Sequence, residues 1–498
     1  MKLAEIIKTV KPLAVEGPLD HEITGITYDS RRVMPGNLFV AFRGERTDGH
    51  RYVEAAIDRG AAAVVMERDA GYNPRATRIK VSDARRSMAK VSAQFYNHPS
   101  HSLKVVGVTG TNGKTTTAFM VRNIMEEAGF PCGLLGTVQY QIGQRVIPAA
   151  RTTPESVEIQ EMMSEMLGAG CGGVSMEVSS HALDQSRVAE VDFDVAVFTN
   201  LSQDHLDYHR TMKNYFESKV KLFSALGTGR KAGRAVVNAD DAYGQELIQR
   251  LGGDGAVLSY GASSGTMIHA EDVRVSAEGC YFIVHTPQGS LPMSLPLIGR
   301  YNVSNALAAI GACLALGIDL CTIEAALAEF SPVSGRLERV PVGEQFQVYI
   351  DYAHTAEALR HVLVSVGELA RRRLILVFGC GGDRDKGKRK AMGQVACHLA
   401  DYTILTSDNP RNEDPREILA QIESGFPDAS RNQYQIIEDR REAIERALDL
   451  ARPGDAVLIA GKGHETYQEF ANSSVPFNDR KIVEDYFSLS GTRWKPCA

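Results

Sequence analysis

Residues 103–117 have the sequence Leu103-Lys-Val-Val-Gly-Val-Thr-Gly-Thr-Asn-Gly-Lys-Thr-Thr-Thr117. The valines predict a short buried strand, which the segment Gly110 to Gly113 cannot continue. From Lys114 onward the apolar residues Phe119, Val121, Ile124 and Met125 recur at helical spacing. A strand, a glycine-rich turn and a helix in this order are typical of a phosphate-binding loop, where backbone N–H groups and the helix N-terminus face an anion.

This loop predicts a nucleotide site. Lys114 would reach the β- and γ-phosphates, and the Thr115 hydroxyl would hold Mg²⁺. The usual pattern has a glycine where Val108 stands, so the motif is a compact form. The alternative is an ordinary glycine-rich connection between a strand and a helix. The residues predicted to contact the nucleotide are Gly110, Thr111, Asn112, Gly113, Lys114, Thr115 and Thr116.

Composition narrows the class of protein. A chain of 498 residues suggests about three domains at ~150 residues each. Its 44% hydrophobic and 23% charged residues are those of a globular protein, and a net charge of −6 does not favour a nucleic-acid partner. The cysteines are scattered without metal-binding spacing, which suits a reducing cytosol. We see no signal peptide and no apolar run of ~18 residues, so we expect a cytoplasmic protein without membrane insertion.

The pattern along the chain predicts an α/β fold in three domains. They are an N-terminal α/β domain (1–98), a central P-loop ATPase-like domain (99–330) and a C-terminal Rossmann-like domain (331–498). Asn97 to His101 is interpreted as a linker. In the third domain, strands at Phe346–Tyr352, Leu374–Phe378, Tyr402–Leu405 and Ala456–Ala460 alternate with helices. That alternation predicts a mostly parallel, doubly wound sheet.

Polar residues follow the predicted strands of the central domain. Glu177 and His205 end consecutive strands after the phosphate loop and could bind Mg²⁺, although a lone strand-end glutamate is more often structural. His205 and His209 have zinc-like spacing, but Leu206 stands where a zinc peptidase needs glutamate. The pattern around Lys219 alone predicts an exposed, charged helix face.

Strand-end loops of the third domain carry both signs of charge. Arg384 and Arg411 could bind a carboxylate, and Asp408 and Glu465 could bind an ammonium group. Together they suit a zwitterionic amino acid; singly, each is more often in a surface ion pair. The basic run 386–390 is interpreted as a solvated or phosphate-facing loop rather than a nucleic-acid site.

Several motifs together resemble the Mur ligase family, the ATP-dependent ligases that build the peptide stem of peptidoglycan. The segments that carry the resemblance are 110–115, 177–181, 204–209, 299–305, 334–338 and 351–354. Asp29-Ser-Arg31, Arg151-Thr-Thr153 and Gly461-Lys-Gly-His-Glu465 resemble the member that adds the third residue of the stem. Asp408-Asn-Pro-Arg411 is similar to the form that selects meso-diaminopimelate.

The resemblance implies an amide-forming ligase with ATP and Mg²⁺. Its other substrates would be UDP-N-acetylmuramoyl-L-Ala-D-Glu and meso-diaminopimelate, joined through an acyl phosphate, and we expect a monomer. The first domain would bind the UDP-sugar and the third the incoming amino acid. Lys114, Glu177, His205 and Lys219 would form the catalytic group, with Lys219 carbamylated. The metal ligands would be Thr115, Glu177, His205 and Lys219.

The resemblance also assigns binding residues. Asn302, Asn305, Arg336 and Asp351 would complete the ATP site. The UDP-sugar peptide would contact Ser30, Glu45, Arg46, Thr47, Thr152, Thr153, Ser179, Gln185 and Arg187. Diaminopimelate would contact Arg384, Asp408, Asn409, Pro410, Arg411, Gly461 and Glu465.

Other functions compete with this interpretation. A lysine-adding ligase of the same family would have no use for Arg411. A folylpolyglutamate synthetase should lack the Asp-Asn-Pro-Arg loop and the sugar-nucleotide domain. A P-loop switch or motor would need a Walker-B run, which we do not find. A scaffold protein would have no use for the polar residues at the strand ends.

Overall fold

The computed structural model describes residues 1–44, 47–68, 74–252, 257–343, 345–430 and 433–489. They form three α/β units along the chain, each with its own parallel or mixed sheet. None of the helices in this part of the chain is both long and apolar enough to cross a bilayer.

The N-terminal unit is a sheet with helices on its faces. Its elements are α1 (Leu3–Ile6), β1 (Ala14–Glu16), β2 (Gly25–Thr27), β3 (Asn37–Val40), α2 (Val53–Asp58), β4 (Ala63–Met66), β5 (Thr77–Lys80) and α3 (Ala84–Phe95). The strand order is β1-β5-β4-β3-β2, with β1 antiparallel and the other strands parallel. Strands β3 and β4 are buried on both faces, as their unbroken apolar sequences predict.

The central unit begins with β6 (Lys104–Thr109) and α4 (Lys114–Glu127), which flank the phosphate loop. There follow β7 (Cys132–Leu135), β8 (Gln139–Ile142), β9 (Arg145–Pro148), α5 (Ser156–Gly168), β10 (Gly173–Glu177), α6 (Ser180–Asp184), β11 (Val195–Phe198), α7 (Leu206–His209), α8 (Met212–Ser224), β12 (Arg234–Asn238), α9 (Ala242–Leu251), β13 (Val257–Gly261), β14 (Ile268–Val275), β15 (Cys280–Thr286), β16 (Gly289–Leu295), α10 (Arg300–Ala315) and α11 (Leu320–Ala328).

The central sheet has the order β16-β15-β14-β13-β12-β11-β6-β10-β7-β8-β9. Its middle is parallel from β14 to β7, and antiparallel strands extend it at both ends. Strand β6 lies between β10 and β11, so the carboxyl ends that carry Glu177 and Thr199 flank the phosphate loop. The middle of the sheet therefore positions the candidate site.

The C-terminal unit contains β17 (Glu338–Val340), β18 (Gln347–Asp351), α12 (Ala356–Gly367), β19 (Leu374–Phe378), α13 (Gly387–Leu399), β20 (Tyr402–Leu405), α14 (Pro415–Glu423), β21 (Tyr434–Ile436), α15 (Arg440–Leu450), β22 (Ala456–Ala460), β23 (Tyr467–Phe470), β24 (Ser473–Pro476) and α16 (Asp479–Leu489). The sheet order β17-β18-β22-β19-β20-β21 is parallel except for β17, so the predicted doubly wound sheet is confirmed.

The segment Asn97 to His101, interpreted as a linker, connects α3 to β6 in an ordered conformation. Asn97 and His98 have positive φ angles of 58° and 49°, and a short 3₁₀ helix follows over Pro99–His101. Pro99 and Ser100 are buried, and the Ser100 hydroxyl accepts a hydrogen bond of 3.1 Å from the Asp192 amide. This connection is fixed against the central unit, because buried backbone groups need such partners.

Candidate active site

The phosphate loop connects β6 to α4 and is held in a conformation that favours glycine. Gly110 and Gly113 have φ angles of 152° and 85°. A Cβ atom on Gly110 would lie 1.8 Å from Thr199 Oγ1, and one on Gly113 would lie 2.3 Å from Asn305 Oδ1. Lys114 Nζ donates to the carbonyl oxygens of Gly110 at 3.0 Å and Thr111 at 2.8 Å. The loop therefore has no room for a side chain at Gly110 or Gly113. The Lys114 ammonium group lies against its carbonyl oxygens.

The loop lines a cavity of about 730 Å³ between the central and C-terminal units. That volume is within the range of small-molecule and nucleotide sites. The cavity gathers Glu177, His205 and Lys219 with much of the predicted set, namely Gly110 to Thr116, Thr152, Ser179, Asn302, Asn305, Arg336 and Asp351.

Glu177, at the end of β10, connects the loop to its neighbours. Its Oε2 accepts a hydrogen bond of 3.0 Å from Thr115 Oγ1 and lies 3.0 Å from Thr137 Oγ1. Its Oε1 accepts a hydrogen bond of 2.7 Å from the Thr137 amide. The residue is only 1% exposed. A buried carboxylate beside the threonine of the phosphate loop can share a cation with that hydroxyl. Thr137 was not among the predicted site residues, because it follows β7 in a turn that carries no recognisable motif.

Lys219 is buried, so the pattern-based prediction of an exposed helix face is wrong for it. It is 1% exposed, and its Nζ donates to Gly110 O at 2.8 Å and lies 4.5 Å from the Tyr215 ring centroid. Tyr215, Lys219 and Leu222 share the inward face of α8 because they are four and three residues apart. Lys221 lies on the outer face and pairs with Asp184 at 2.8 Å.

Burial lowers the pKa of Lys219 well below its usual value, and the nearby Lys114 cation lowers it further. Burial also lowers the pKa of Lys114, although the Glu177 carboxylate opposes this. Both lysines donate to the same carbonyl oxygen of the loop, that of Gly110. Lys219 therefore loses its proton at a much lower pH than an exposed lysine does.

Asp204 joins the two units at the edge of the cavity. Its carboxylate lies 3.6 Å from His205 Nε2, 3.5 Å from His354 Nε2 and 3.2 Å from Lys388 Nζ. Burial raises its pKa, but His205, Lys388 and His354 outweigh that effect and hold the pKa well below its usual range. Burial also lowers the pKa of His205, although the Asp204 carboxylate opposes this.

The basic run 386–390, interpreted as a solvated or phosphate-facing loop, is exposed at Lys386 and Lys390 but has two buried residues. Lys388 is 7% exposed and Arg389 is fully buried, because α13 begins at Gly387 and turns both inward. Arg389 pairs with Glu413 at 2.9 Å within the C-terminal unit. Lys388 instead pairs with Asp204 of the central unit, so this segment forms a contact between the C-terminal and central units.

The other residues that the resemblance assigns to the ATP site also line the cavity. Asn302 donates to Ile298 O at 2.8 Å, and Asn305 donates to Asn302 Oδ1 at 3.0 Å, within the first turns of α10. Asp351 accepts hydrogen bonds from the amides of Leu337 and Ala353 at 2.6 and 2.7 Å. This fixes the loop that carries Arg336.

Arg336 extends from the C-terminal unit to the phosphate loop. Its Nη2 donates to Thr115 Oγ1 at 2.8 Å, and its guanidinium lies 4.7 Å from the Tyr352 ring centroid. Its buried Nε has no hydrogen-bond partner among the described residues. A buried donor aimed at a phosphate loop is suited to binding an anion.

Most of the predicted UDP-sugar residues lie in one network of the central unit. Thr153 Oγ1 donates to Glu177 O at 2.7 Å and accepts from the Ser179 amide at 3.0 Å. Arg187 donates to Thr153 O at 3.0 Å and to Gln185 Oε1 at 2.7 Å. Thr152 Oγ1 accepts a hydrogen bond of 3.0 Å from Thr137 Oγ1.

The remaining residues of that set are on the N-terminal unit. Ser30 begins a short 3₁₀ helix, and Thr47 donates a hydrogen bond of 3.4 Å to Tyr52. Glu45 and Arg46 lie outside the described residues. The buried Glu155, which was not predicted, links the two units, since it pairs with Arg187 at 3.2 Å and with Arg85 at 3.4 Å.

The predicted amino-acid residues surround a buried lysine that the sequence interpretation did not assign. Lys462 is fully buried, and its Nζ donates to Asn409 Oδ1 at 2.9 Å and to Glu465 Oε2 at 3.0 Å. It lies 3.9 Å from Asp408 Oδ1. The carboxylates expected to bind an incoming ammonium group therefore already share the ammonium group of Lys462.

Arg411 and Arg384 border this cluster near Gly381. Arg411 adopts a φ of 51° and donates to Glu469 Oε2 and Gly382 O, each at 2.8 Å. Arg384 is exposed and donates to the Asp383 carbonyl at 3.2 Å. Pro410 is buried beside them.

The amino-acid cluster adjoins the nucleotide cavity without lining it. A Cβ atom on Gly461 would lie 2.6 Å from Asp408 Oδ2, so only glycine fits there. Tyr352 lines the cavity, and its hydroxyl donates a hydrogen bond of 3.5 Å to Glu465 Oε1. The two candidate sites therefore meet at Tyr352.

Comparison with known proteins accounts for this arrangement. Three family descriptions match: "Mur ligase family, catalytic domain" over residues 22–96, "Mur ligase middle domain" over 108–313, and "Mur ligase, glutamate ligase domain" over 335–463. The chain belongs to the Mur ligase family. The predicted family and three-domain α/β fold are thus confirmed.

Curated Mur ligases match over almost the whole chain. A UDP-N-acetylmuramoyl-L-alanyl-D-glutamate–2,6-diaminopimelate ligase of Syntrophomonas wolfei subsp. wolfei is 45% identical over 97% of this chain and 99% of its own. The enzyme of that name from Caldanaerobacter subterraneus subsp. tengcongensis is 46% identical over 98% and 100%. A solved structure with that name is 33% identical, with a TM-score of 0.69 over 99% of this chain and 100% of that one.

Proposed function

We propose that this Mur ligase joins meso-diaminopimelate to the D-Glu carboxylate of UDP-N-acetylmuramoyl-L-Ala-D-Glu at the expense of ATP. Its relatives named for this reaction match the full chain at 45% and 46% identity. The observation that carries the proposal is the position of Asp408–Arg411, in a charged cluster that meets the nucleotide cavity at Tyr352. The substrate of a lysine-adding ligase would offer no side-chain carboxylate to Arg411.

The first half-reaction would take place beside the phosphate loop. An oxygen of the D-Glu carboxylate attacks the γ-phosphorus of ATP, the bond to the β-phosphate oxygen breaks, and ADP leaves. Lys114 and Arg336 stabilise the charge that develops on the phosphate oxygens. Both cations are held by carbonyl or hydroxyl partners, so little reorganisation precedes the step.

The second half-reaction uses the adjoining cluster. The uncharged amine of diaminopimelate attacks the acyl carbon, phosphate leaves, and the nitrogen loses a proton as the amide forms. The nucleophile must come from the side of Tyr352, because the charged cluster and the cavity meet there. No protein side chain becomes covalently attached to substrate.

The residues present fit Mg²⁺. Glu177 and Thr115 offer oxygen atoms 3.0 Å apart, and Glu177 is buried among hydroxyl and amide groups, which suits a hard cation. Thr115, Glu177, His205 and Lys219 would hold the metal. Bound Mg²⁺ neutralises charge on the phosphates.

Carbamylation would convert Lys219 from a cation into a metal ligand. The buried amine has a strongly lowered pKa, so it can react as the free base. Its nitrogen adds to the carbon of CO₂, a proton leaves to solvent, and the resulting carbamate carries an anionic oxygen. An unmodified, protonated Lys219 would repel Mg²⁺ at this position.

Recognition of diaminopimelate would depend on Arg411. Diaminopimelate is lysine with an added carboxylate, and a guanidinium binds a carboxylate through two parallel hydrogen bonds. Lysine would bring no carboxylate for the guanidinium, which would then keep only its partners Glu469 and Gly382. A site built to bind a polar group rejects an analogue lacking it by ~10⁴-fold or more.

The remaining assignments complete the proposal. The UDP-sugar peptide would lie between the N-terminal and central domains, near the network of Thr153, Ser179 and Arg187. We place the domain boundaries after residues 98 and 330. We propose a cytoplasmic location, since the seven cysteines of the described part of the chain are free, and we also propose that the protein is a monomer.

Mass spectrometry of the product tests the reaction. Purified protein is incubated with ATP, Mg²⁺, UDP-N-acetylmuramoyl-L-Ala-D-Glu and meso-diaminopimelate. The nucleotide dipeptide should gain the mass of one diaminopimelate residue. Recovery of unaltered dipeptide with ATP consumed would contradict the proposal.

A further inference from the structure

A second group of chemically reactive side chains lies on the outer face of the central sheet. His269 of β14 is directly opposite His285 of β15, and Glu271 follows His269 by two residues. Alternate residues of a strand point to opposite faces. Ile268, Ala270 and Val284 pack into the core, so the two histidines and the glutamate share the other face.

The three side chains converge. The imidazole rings stack with their centroids 4.8 Å apart and an interplanar angle of 15°. Glu271 Oε2 lies 3.3 Å from His285 Nε2, and Oε1 lies 3.8 Å from His269 Nε2. All the potential ligand atoms lie within 4.8 Å of one another. Ligands of a tetrahedral Zn²⁺ are separated by about 3.4 Å, so the two rings must rotate out of their stacked arrangement to direct both lone pairs at one ion.

The outer nitrogen of each ring has its own partner. His269 Nδ1 lies 3.3 Å from the Thr266 carbonyl oxygen, which can only accept, so Nδ1 is the donor in this contact and Nε2 faces Glu271. His285 Nδ1 lies 2.7 Å from Ser290 Oγ on β16. Partners on the far nitrogen of a metal-binding histidine orient the ring toward the ion.

The inner nitrogen of His285 is left without such a partner. Nε2 is buried and makes no hydrogen bond to any described residue, although it faces the Glu271 carboxylate. Buried polar atoms are normally hydrogen bonded, so this exception needs an explanation. A metal ion between the two imidazoles and the carboxylate would supply one.

The backbone helps to direct the glutamate. A β-bulge interrupts the register between Glu271 and Arg274, and Asp272 within it has a φ of 52°. Bulges bend a strand and redirect its side chains. The bulge begins directly after Glu271, whereas His269 precedes Glu271 on the same strand.

We propose that His269, Glu271 and His285 form a binding site for a divalent transition metal, with Zn²⁺ the best match. Two imidazoles and one carboxylate form a zinc ligand set that leaves a fourth position for water. Mg²⁺ would not suit it, because that ion prefers oxygen ligands. None of the three residues is among those that line the nucleotide cavity, so the site is separate from the ligase reaction.

Zinc binding to the full-length protein tests this proposal. Isothermal titration with Zn²⁺ is carried out in excess Mg²⁺ and without nucleotide, which would chelate Zn²⁺ in solution. His269→Ala and His285→Ala should each bind one Zn²⁺ fewer than the wild type. Ser290→Ala should keep the site but bind ~10- to 100-fold more weakly, because it loses only the outer partner of His285.

His398→Ala is the matched control, since it removes an exposed histidine elsewhere and should leave binding unchanged. All the variants should retain ligase activity, which verifies that they fold. Wild-type Co²⁺-loaded protein should show the intense visible absorption of a tetrahedral site, absent in Glu271→Gln. Equal stoichiometry and affinity in the wild type, His269→Ala and His285→Ala would overturn the proposal and leave a stacked histidine pair that shares a carboxylate.

Discussion

Arg336 of the C-terminal unit donates a hydrogen bond of 2.8 Å to Thr115 Oγ1 in the phosphate loop. The same hydroxyl donates to Glu177 Oε2 at 3.0 Å. One threonine thus connects the guanidinium of one domain with the buried carboxylate of another. The position of the C-terminal domain and the geometry of the nucleotide site are therefore coupled.

Replacing Arg336 should impair phosphate transfer more than folding. Arg336→Ala removes a positive group directed at the phosphate loop, and we expect kcat to fall by about 10²- to 10³-fold. Steady-state phosphate release measures the effect. Arg339→Ala, which removes an exposed arginine three residues later, should behave like the wild type. Equal losses in both variants would mean that Arg336 acts only through stability.

Lys219 should be needed in its carbamylated form. Lys219→Ala would remove a metal ligand worth several kcal/mol, so activity should fall on the order of 10³-fold. Wild-type protein depleted of CO₂ should lose activity and regain it when bicarbonate is added, whereas Lys213→Ala, an exposed control on α8, should respond as the wild type does. Full activity without CO₂ would argue against carbamylation.

Arg411 should determine the choice of amino acid. Loss of a charge-assisted pair in a closed site costs about 2–5 kcal/mol, so Arg411→Ala should lower kcat/KM for diaminopimelate by about 30-fold or more. The KM for ATP should stay the same. Arg416→Ala is the control, since that side chain is 82% exposed. Unchanged kinetics with diaminopimelate in Arg411→Ala would remove the basis for the assignment.

The buried pair of Arg440 and Asp479 should dominate the local stability of the C-terminal domain. Both side chains are fully buried, and Arg440 Nη2 lies 2.7 Å from Asp479 Oδ2. Arg440→Met leaves the carboxylate unpaired and should destabilise the domain by about 3–5 kcal/mol. Amide hydrogen exchange in α15 and β22 measures this. The exposed neighbour variant Arg441→Met should cost less than about 1 kcal/mol.

Glu413 should make stability depend on pH. Hydrogen bonds from Arg389 lower its pKa from 4.5 to about 2. Its contribution is fully present above the unfolded value of 4.5 and is lost as the pH falls toward 2. The difference in Tm between wild type and Glu413→Gln should thus be largest near neutral pH and shrink on acidification. Glu417→Gln, an exposed control, should show no such trend.

Local sequence was sufficient to predict much of the fold. The bounds of β19, β20 and β22 coincide with the predicted strands, because each is a mostly apolar run that ends at a polar loop. The phosphate loop was equally clear, since Gly110 and Gly113 are required by the chain's own geometry. The antiparallel strands β14 to β16 were not predicted, because one of their faces is exposed and polar.

Contacts distant in sequence account for what was missed at the site. Lys388 appeared to belong to a solvated basic run, yet it pairs with Asp204, 184 residues away. The burial of Lys462 depends on Asn409 and Glu465, which arrive from different strand ends. Lys219 was recognisable in principle, since it shares a helix face with Tyr215 and Leu222, but its neighbours Lys221 and Glu217 mask that face. Its role followed from the family resemblance alone.

Amine-dependent phosphate release tests the central claim most directly. Purified protein with ATP, Mg²⁺ and UDP-N-acetylmuramoyl-L-Ala-D-Glu is assayed with meso-diaminopimelate, with lysine, and without an amine. We predict steady release with diaminopimelate and little with lysine or without an amine. Equal release in all three reactions would contradict the assignment as a diaminopimelate-adding ligase.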